Sequence, residues 1–87
     1  MTREEFNTKY KEFIEDRFSG LDFDIPAVTG FLDNIFDKTL TKIPGFEYAQ
    51  IKLKFGKARF YSNLGDGYIG YLIEDYINTI ISKEDKT

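Results

Sequence analysis

The sequence contains no cysteine and no histidine. The absence of cysteine excludes disulfides, thiolate metal sites and a cysteine nucleophile. Since a secreted domain of this size usually needs disulfides, we expect the protein to be cytoplasmic. The absence of histidine removes the commonest general base and metal ligand at neutral pH. We therefore predict a protein that is not an enzyme and that uses neither a metal ion nor a cofactor.

Long apolar runs are also missing from the sequence. The uncharged stretch 67–73 is too short to span a bilayer, so we predict no membrane association. The N-terminus is charged and helical in pattern, which does not fit a signal peptide. A chain of 87 residues is long enough for one domain. We expect residues 1–87 to form it, with the charged tail 82–87 frayed.

Large apolar side chains, in contrast, are abundant, since 41% of the residues are hydrophobic and 17% are aromatic. Nine Phe and six Tyr predict a dense core, because each ring removes a large area from water. Charge is distributed unevenly along the chain. The net charge is −3, yet residues 46–63 contain four basic side chains and one acidic side chain and lie between two acidic segments.

Residues 2–20 predict a first helix. Thr2 and Glu5 have the spacing of a capping box, in which each side chain accepts a hydrogen bond from the backbone of the other residue. Apolar side chains then recur every three or four residues, and Ser19-Gly20 ends the helix. The apolar stripe consists of Phe6, Tyr10, Phe13, Ile14 and Phe18.

Residues 24–45 predict a second helix. Asp24 is expected near the N-cap and Pro26 in the first turn, while residues 21–23 form a short connection to the first helix. Pro44-Gly45 ends the second helix. Its apolar stripe consists of Val28, Phe31, Leu32, Ile35, Phe36, Leu40 and Ile43.

The apolar pattern then changes to alternation, which predicts a β-hairpin within residues 46–63. Gly56-Lys57 is expected to form a type II′ turn, because glycine suits the first central position of such a turn. This turn would place Phe55 opposite Ala58, Leu53 opposite Phe60 and Ile51 opposite Ser62. The free edges of a two-stranded sheet are expected to invite a further strand from another chain.

A last helix is expected after the turn 64–67, with Asp66 as its N-cap. Its apolar face consists of Ile69, Leu72, Ile73, Tyr76, Ile77, Ile80 and Ile81. Because a hairpin alone is marginally stable in water, helices must cover its apolar face. The predicted fold class is therefore α+β, in the order helix–helix–β-hairpin–helix, with two layers in a single domain.

The other face of the predicted hairpin is basic and is the first candidate site. It consists of Gln50, Lys52, Lys54, Arg59 and Tyr61, with Asn63 at the edge. Cations beside an aromatic ring hold phosphates and stack a base, which favours a nucleotide or nucleic-acid binding module. Two other interpretations stay open. The face is an ordinary solvated strand surface, or it docks onto an acidic helix surface in this chain or in a partner.

The hairpin segment 50–61, with the sequence Gln-Ile-Lys-Leu-Lys-Phe-Gly-Lys-Ala-Arg-Phe-Tyr, resembles a segment of small uncharacterised bacterial and phage proteins. In that family the pattern is Gln-x-Lys-x-Lys-Phe-Gly-x-x-Arg-Phe-Tyr. The family often has Glu at the position of Leu53, a larger aliphatic residue at that of Ala58, and in some members a cysteine-rich tail. The resemblance implies a shared hairpin and a phage or mobile-element origin, but no activity.

A glycine-rich turn is the second candidate site. Gly65, Asp66 and Gly67 begin a G-x-G-x-x-G pattern that opens the last helix. The dinucleotide fingerprint also requires a second parallel strand with an acidic residue about 20 residues further on, which the sequence does not predict. We therefore interpret the glycines as turn residues. The free N–H groups of the helix start leave an anion site as the functional alternative.

Acidic and tyrosine side chains supply two candidate protein-binding surfaces. The acidic partner face consists of Glu4, Glu12, Glu15, Asp33 and Asp37. The carboxylate pairs Asp33–Asp37 and Glu74–Asp75 have a spacing that suits a cation or acid–base chemistry, but solvated helix surface is the preferred interpretation. Tyr48, Tyr68 and Tyr71 do not share one apolar stripe, and such a tyrosine group would anchor a partner protein.

The leading functional hypothesis is a non-catalytic module that binds another protein. The resemblance adds a phage or mobile-element origin, and with it the inhibition of a host or defence protein. A homodimer would use the same surfaces. The alternative hypothesis is a nucleotide or nucleic-acid binding module that uses the basic hairpin face.

Overall fold

The computed structural model describes residues 1–64 and 68–84. The elements in these ranges are, in chain order, α1 (Arg3–Lys9), a 3-10 helix (Lys11–Phe13), β1 (Gly20–Leu21), α2 (Pro26–Lys38), a second 3-10 helix (Leu40–Lys42), β2 (Tyr48–Lys54), β3 (Lys57–Ser62) and α3 (Tyr68–Glu84). The predicted α+β class and the order helix–helix–hairpin–helix are confirmed. Residues 82–84, expected in a frayed tail, lie in α3.

α1 begins at the predicted capping box. The Glu5 N–H donates to the Thr2 hydroxyl at 3.1 Å, and the Thr2 N–H donates to the Glu5 carboxylate at 3.0 Å. The helix ends at Lys9, far short of the predicted end, because the chain beyond it turns to join the sheet. Ile14 forms a bridge with Tyr48 of β2. Phe18, predicted in the core, is 55% exposed.

A short parallel strand is the main addition to the predicted fold. β1 places Gly20 beside Gln50 and Leu21 beside Ile51, so the sheet has the order β1-β2-β3 with β2 in the centre. The sequence predicted a connection here, since two residues are too few to show an alternating pattern. Pairing with β2 buries Leu21 in the core.

α2 begins at Pro26, but its N-cap is Ile25 rather than Asp24. The Asp24 carboxylate instead accepts a hydrogen bond from the Arg3 N–H at 3.3 Å and thereby contacts α1. The helix ends at Lys38, and the second 3-10 helix follows it. The prediction of one helix up to Pro44-Gly45 is therefore wrong.

The hairpin turn consists of Phe55-Gly56 and not of Gly56-Lys57. Both turn residues have positive φ, 54° and 78°, as a type I′ turn requires. Leu53 consequently lies opposite Ala58. The true register differs from the predicted one by two residues, and such an even shift keeps the paired strand residues on their predicted faces. Phe55, predicted on the apolar face opposite Ala58, lies in the turn and is 94% exposed.

A bulge in β2 determines the position of Tyr48. The register shifts between Tyr48 and Gln50, so Tyr48 and Ala49 are both buried. Tyr48 has no exposed surface, and the prediction that it belongs to a surface tyrosine group is wrong. Its hydroxyl has no hydrogen-bond partner among the described residues, and burial raises its pKa.

The core lies between the sheet and the three helices. Phe36 of α2 lies at its centre, with ring centroids 5.0 to 6.3 Å from those of Phe6, Tyr10, Phe46, Tyr48 and Phe60. Ile73 and Ile77 of α3 pack against the same cluster. The helices therefore cover one face of the sheet, as predicted, and no helix in the described ranges covers the opposite face of the hairpin.

Helix side chains form hydrogen bonds with backbone groups at both edges of the sheet. The Asn7 amide of α1 both donates to the Leu21 carbonyl and accepts from the Leu21 N–H, each at 2.9 Å. On the other edge, side chains of α3 accept from the N–H groups of Ala58 and Phe60. These bonds occupy backbone groups with which a further strand would have to pair. At these positions the edges are therefore less available to a strand from another chain than the sequence predicted.

Candidate functional site

The open face of the hairpin brings the predicted basic residues together. Its cross-strand pairs are Lys54 with Lys57, Lys52 with Arg59, and Gln50 with Tyr61. We call these six residues the basic face. Opposed residues in an antiparallel pair have Cβ atoms about 5 Å apart, so the four cations form two adjacent rows.

Lys57 is the member of the basic face that sequence reasoning missed. The predicted turn placed it in the loop, whereas it is the first residue of β3. The dipeptide Phe55-Gly56 fits a type I′ turn, which accepts glycine at the second central position. A prediction of that turn would have placed Lys57 in β3. The basic face therefore has four cations instead of the predicted three.

The cations of the basic face form no ion pair with another described residue. In the described part of the chain, no carboxylate lies within ion-pairing distance of its ammonium or guanidinium groups. The Lys52 ammonium lies 5.6 Å from the ring centroid of Tyr61, and the Arg59 guanidinium donates to the Ala58 carbonyl at 3.1 Å. The face therefore combines concentrated positive charge with an accessible aromatic ring.

Phe55 at the hairpin tip extends this site. Its side chain is 94% exposed and its φ is 54°, in the left-handed region that bulky residues rarely adopt. The Lys54 ammonium lies 6.0 Å from its ring centroid. The packing of the described residues supplies no reason for a phenylalanine at this position.

Two polar residues at the base of the hairpin have structural partners. The Gln50 amide donates to the Ser19 hydroxyl at 3.3 Å. The Asn63 side chain accepts from the Glu47 N–H at 2.9 Å and donates to the Gly45 carbonyl at 2.7 Å. Asn63, predicted at the edge of the site, therefore closes the base of the hairpin.

The predicted acidic partner face is divided among several elements. Glu4 lies on α1 and Glu12 on the first 3-10 helix, while Glu15 follows that helix. Because α1 ends at Lys9, these three residues do not share one helix face. Asp37 is exposed on α2.

Asp33, the fifth residue predicted for that face, joins α1 to α2. Its carboxylate accepts hydrogen bonds from the Lys9 ammonium at 2.8 Å and the Tyr10 hydroxyl at 2.7 Å. These bonds, the one from Lys9 foremost, lower the pKa of Asp33, and the same contact raises the pKa of Lys9. Burial raises the pKa of Tyr10 to about 12. Asp33 is therefore a structural residue.

The carboxylate pair on α3 is also divided by the structure. Glu74 accepts a hydrogen bond from the Phe60 N–H at 2.7 Å, whereas Asp75 is exposed. The interpretation of both as solvated surface is therefore wrong for Glu74. Among the described residues, no group of three or more acidic side chains is arranged to hold a metal ion.

α3 exposes a row of large apolar side chains. The row consists of Tyr68, Ile69, Leu72 and Tyr76. Phe31 of α2 packs beside it, and we call these five residues the α3 surface. Tyr68 is 77% exposed, and Tyr71 beside the row is exposed as expected. Ile69 and Leu72 were predicted on the apolar face that packs in the core, but Ile69 is 44% and Leu72 50% exposed. Tyr76 was likewise predicted in the core. It is instead 58% exposed and stacks on Phe31, with ring centroids 4.5 Å apart and planes inclined by 9°.

The predicted anion site at Gly65, Asp66 and Gly67 lies outside the described residues, as does the expected N-cap role of Asp66. No helix in the described ranges is both long enough and apolar enough to cross a membrane.

Comparisons with protein-family models, with curated proteins and with solved structures found no match for this chain. The resemblance of residues 50–61 to small bacterial and phage proteins therefore stays a prediction.

Proposed function

We propose that this protein is a non-catalytic module that binds another protein through the α3 surface. The observation that supports this function is the row Tyr68, Ile69, Leu72 and Tyr76, in which a helix turns large apolar side chains toward solvent. Contiguous exposed apolar patches of this kind mark interaction sites on soluble proteins. Single exposed apolar residues are common, but a row along one helix face is not.

The α3 surface has the composition and rigidity of an interface centre. Tyrosine is enriched at binding hot spots, since it combines a large apolar ring with a hydroxyl that finds partners at the rim. The stack of Tyr76 on Phe31 holds one ring in place before binding. Ile73 and Ile77 anchor the opposite side of α3 in the core, so the helix offers a preformed ridge. Preformed surfaces lose less conformational entropy on binding.

The more specific hypothesis concerns biological setting. Inhibition of a host or defence protein by a phage or mobile-element product follows from the resemblance of the hairpin segment, and it is supported by that resemblance alone. A second copy of this chain is the other protein partner to test, because an apolar helix row is self-complementary in an isologous dimer.

The experiment compares the wild type with Leu72→Glu, which places a charge in the middle of the α3 surface. Leu72 is half-exposed, so we expect the variant to fold. Thr8→Glu on α1 is the matched control, because Thr8 is exposed and the added charge is the same. Each protein is immobilised and exposed to a lysate of the organism that encodes it, and captured proteins are identified by mass spectrometry. Candidates are then remeasured as purified proteins.

The expected result is a purified partner that binds the wild type and Thr8→Glu equally and binds Leu72→Glu more than about ten-fold more weakly. Light scattering on the protein alone tests the homodimer, which Leu72→Glu should convert to a monomer. Two results together would disprove the proposed surface. The protein would be monomeric, and any partner found would bind Leu72→Glu as tightly as the wild type.

A further inference from the structure

We infer that the basic face and Phe55 together bind single-stranded nucleic acid. This site lies on the hairpin, away from the α3 surface, and is independent of the protein-binding function proposed above. The ligand class follows from three properties of the described residues: the spacing of uncompensated cations, the position of two accessible rings, and the local conformation of Phe55.

The cations have the arrangement that a phosphate chain requires. The pair Lys52–Arg59 and the pair Lys54–Lys57 are two residues apart along the strands, which is about 6.8 Å at the rise of antiparallel strands. Neighbouring phosphates in an extended single strand have a similar separation. No carboxylate in the described ranges lies within ion-pairing distance of these cations, so their charge is available to a ligand.

The remainder of the protein repels the same ligand. Since the whole chain carries −3 and these four side chains carry +4, all other residues together carry −7. The rest of the chain therefore presents a net negative charge to a polyanion. The overall acidity of the protein does not oppose binding at the hairpin, but it confines binding to that face.

Two aromatic rings lie at opposite ends of the cation rows. Tyr61 is 43% exposed with the Lys52 ammonium 5.6 Å from its ring, and Phe55 projects from the tip with the Lys54 ammonium 6.0 Å from its ring. Proteins that bind single strands combine such rings, on which bases stack, with cations that contact the backbone. Bases within a duplex are already stacked and are not available to rings on an open sheet face.

Phe55 conflicts with its local surroundings in a way that indicates function. Asparagine is favoured at a position with positive φ before glycine in a type I′ turn, whereas phenylalanine is not. The ring also gains no packing in the described protein, since it is 94% exposed. Residues that break local rules without a folding benefit are expected at functional sites.

An extended peptide is a poorer fit to the hairpin. Strand addition needs free backbone groups at a sheet edge. Glu74 and Asn78 already accept from the outward N–H groups of Phe60 and Ala58, at 2.7 and 2.8 Å. What the hairpin leaves open is its face, and that face carries cations and rings.

The test measures the binding of fluorescein-labelled oligothymidine and oligouridine by fluorescence anisotropy over a series of salt concentrations. If all four cations contact phosphates, the slope of log K against log salt is about −3, because each contact on a single strand contributes about −0.7. The two oligonucleotides show whether DNA, RNA or both are bound. Unlabelled duplex, single nucleotides and anionic phospholipid vesicles serve as competitors.

Matched variants separate the site from general charge effects. Lys54→Ala with Lys57→Ala is expected to make the slope shallower by about 1.4. Lys38→Ala with Lys42→Ala removes the same charge from exposed positions on the helical layer and should leave the slope unchanged. Phe55→Asn should weaken binding about ten-fold at an unchanged slope, since a stacking contact is lost. Its melting temperature should equal or exceed that of the wild type, which excludes unfolding as the cause.

Three results would overturn the inference. One is the absence of binding to either oligonucleotide at low salt. Another is an equal loss of affinity in the two lysine double variants. The third is tighter binding to duplex or to anionic vesicles than to the single strands, which would assign the cations to a different partner.

Discussion

The Glu74 carboxylate on α3 accepts a hydrogen bond from the backbone N–H of Phe60 on β3 at 2.7 Å. One helical turn later, the Asn78 side chain accepts from the Ala58 N–H at 2.8 Å. The spacing of the two acceptors along α3 matches the spacing of the two N–H groups along β3, because four residues of helix advance about 6.0 Å and two residues of strand advance about 6.8 Å. α3 therefore runs antiparallel to β3 and satisfies alternate N–H groups of the outer strand.

Glu74→Ala should destabilise the fold. The substitution removes an acceptor and leaves the partly buried Phe60 N–H without a partner, which costs about 1–3 kcal/mol in the free energy of unfolding. Urea unfolding followed by circular dichroism measures the change. Glu74→Gln keeps an acceptor oxygen and should lose less. Asp75→Ala changes the exposed neighbouring carboxylate and should stay within about 0.5 kcal/mol of wild type. Equal losses for Glu74→Ala and Asp75→Ala would contradict the edge contact.

Alanine substitutions at two glycines should have opposite effects. Gly20 has a φ of 74°, and an added Cβ would lie 2.7 Å from the side-chain amide oxygen of Asn7. We expect Gly20→Ala to lower stability by about 1–3 kcal/mol. Gly30 lies within α2, and nothing is within 4 Å of the Cβ that alanine would add. Gly30→Ala should therefore raise stability by about 0.5–1 kcal/mol. Thermal unfolding of the two variants beside wild type checks both signs.

Removal of one hydroxyl from Tyr48 or from Tyr10 should also have opposite effects. The buried Tyr48 hydroxyl has no partner in the described chain, so Tyr48→Phe should leave stability unchanged or increase it by about 1 kcal/mol. The Tyr10 hydroxyl donates to the charged Asp33 carboxylate, so Tyr10→Phe should cost about 1.5–3 kcal/mol. A comparable loss in Tyr48→Phe would show that its hydroxyl does have a hydrogen-bond partner.

The pKa of Asp33 is lowered chiefly by its hydrogen bond from Lys9, and the pKa of Tyr10 is raised chiefly by burial, so stability should depend on pH at both extremes. The pKa of Asp33 is lower in the folded protein than its usual 3.8, so its contribution is complete above that pH and is lost as the pH falls through the folded value. The pKa of Tyr10 is raised from 10.0 to about 12, so its contribution is complete below pH 10 and is lost as the pH rises through about 12.

Chemical denaturation at a series of pH values tests these directions. Asp33→Asn should flatten the acid side of the profile, and Tyr10→Phe the alkaline side. If both variants show the same dependence of stability on pH as the wild type, neither the Asp33 carboxyl nor the Tyr10 hydroxyl changes its pKa on folding.

The faces of the hairpin could be predicted from the sequence, although its turn could not. Alternation along the strands is a local property, and an error of two residues in register left Ile51, Ala58 and Phe60 on the buried face and Lys52, Lys54 and Arg59 on the opposite face, as predicted. The same error left Lys57 out of the predicted basic face, because the prediction placed Lys57 in the turn and not in a strand. Burial of Ala58 and Phe60 does not distinguish the turns Phe55-Gly56 and Gly56-Lys57, because both pairings place these two side chains on the face that packs in the core.

The sequence by itself determined the α+β class, the capping box at Thr2 and the segregation of cations to one side of the hairpin, because each depends on residues close together in the chain. Only the tertiary structure decided the end of α1, the parallel strand β1, the burial of Tyr48 and the hydrogen bonds that Asn7, Glu74 and Asn78 form at the sheet edges. All of these depend on contacts between residues that are distant in sequence. Such contacts become defined only once the helices have packed on the sheet.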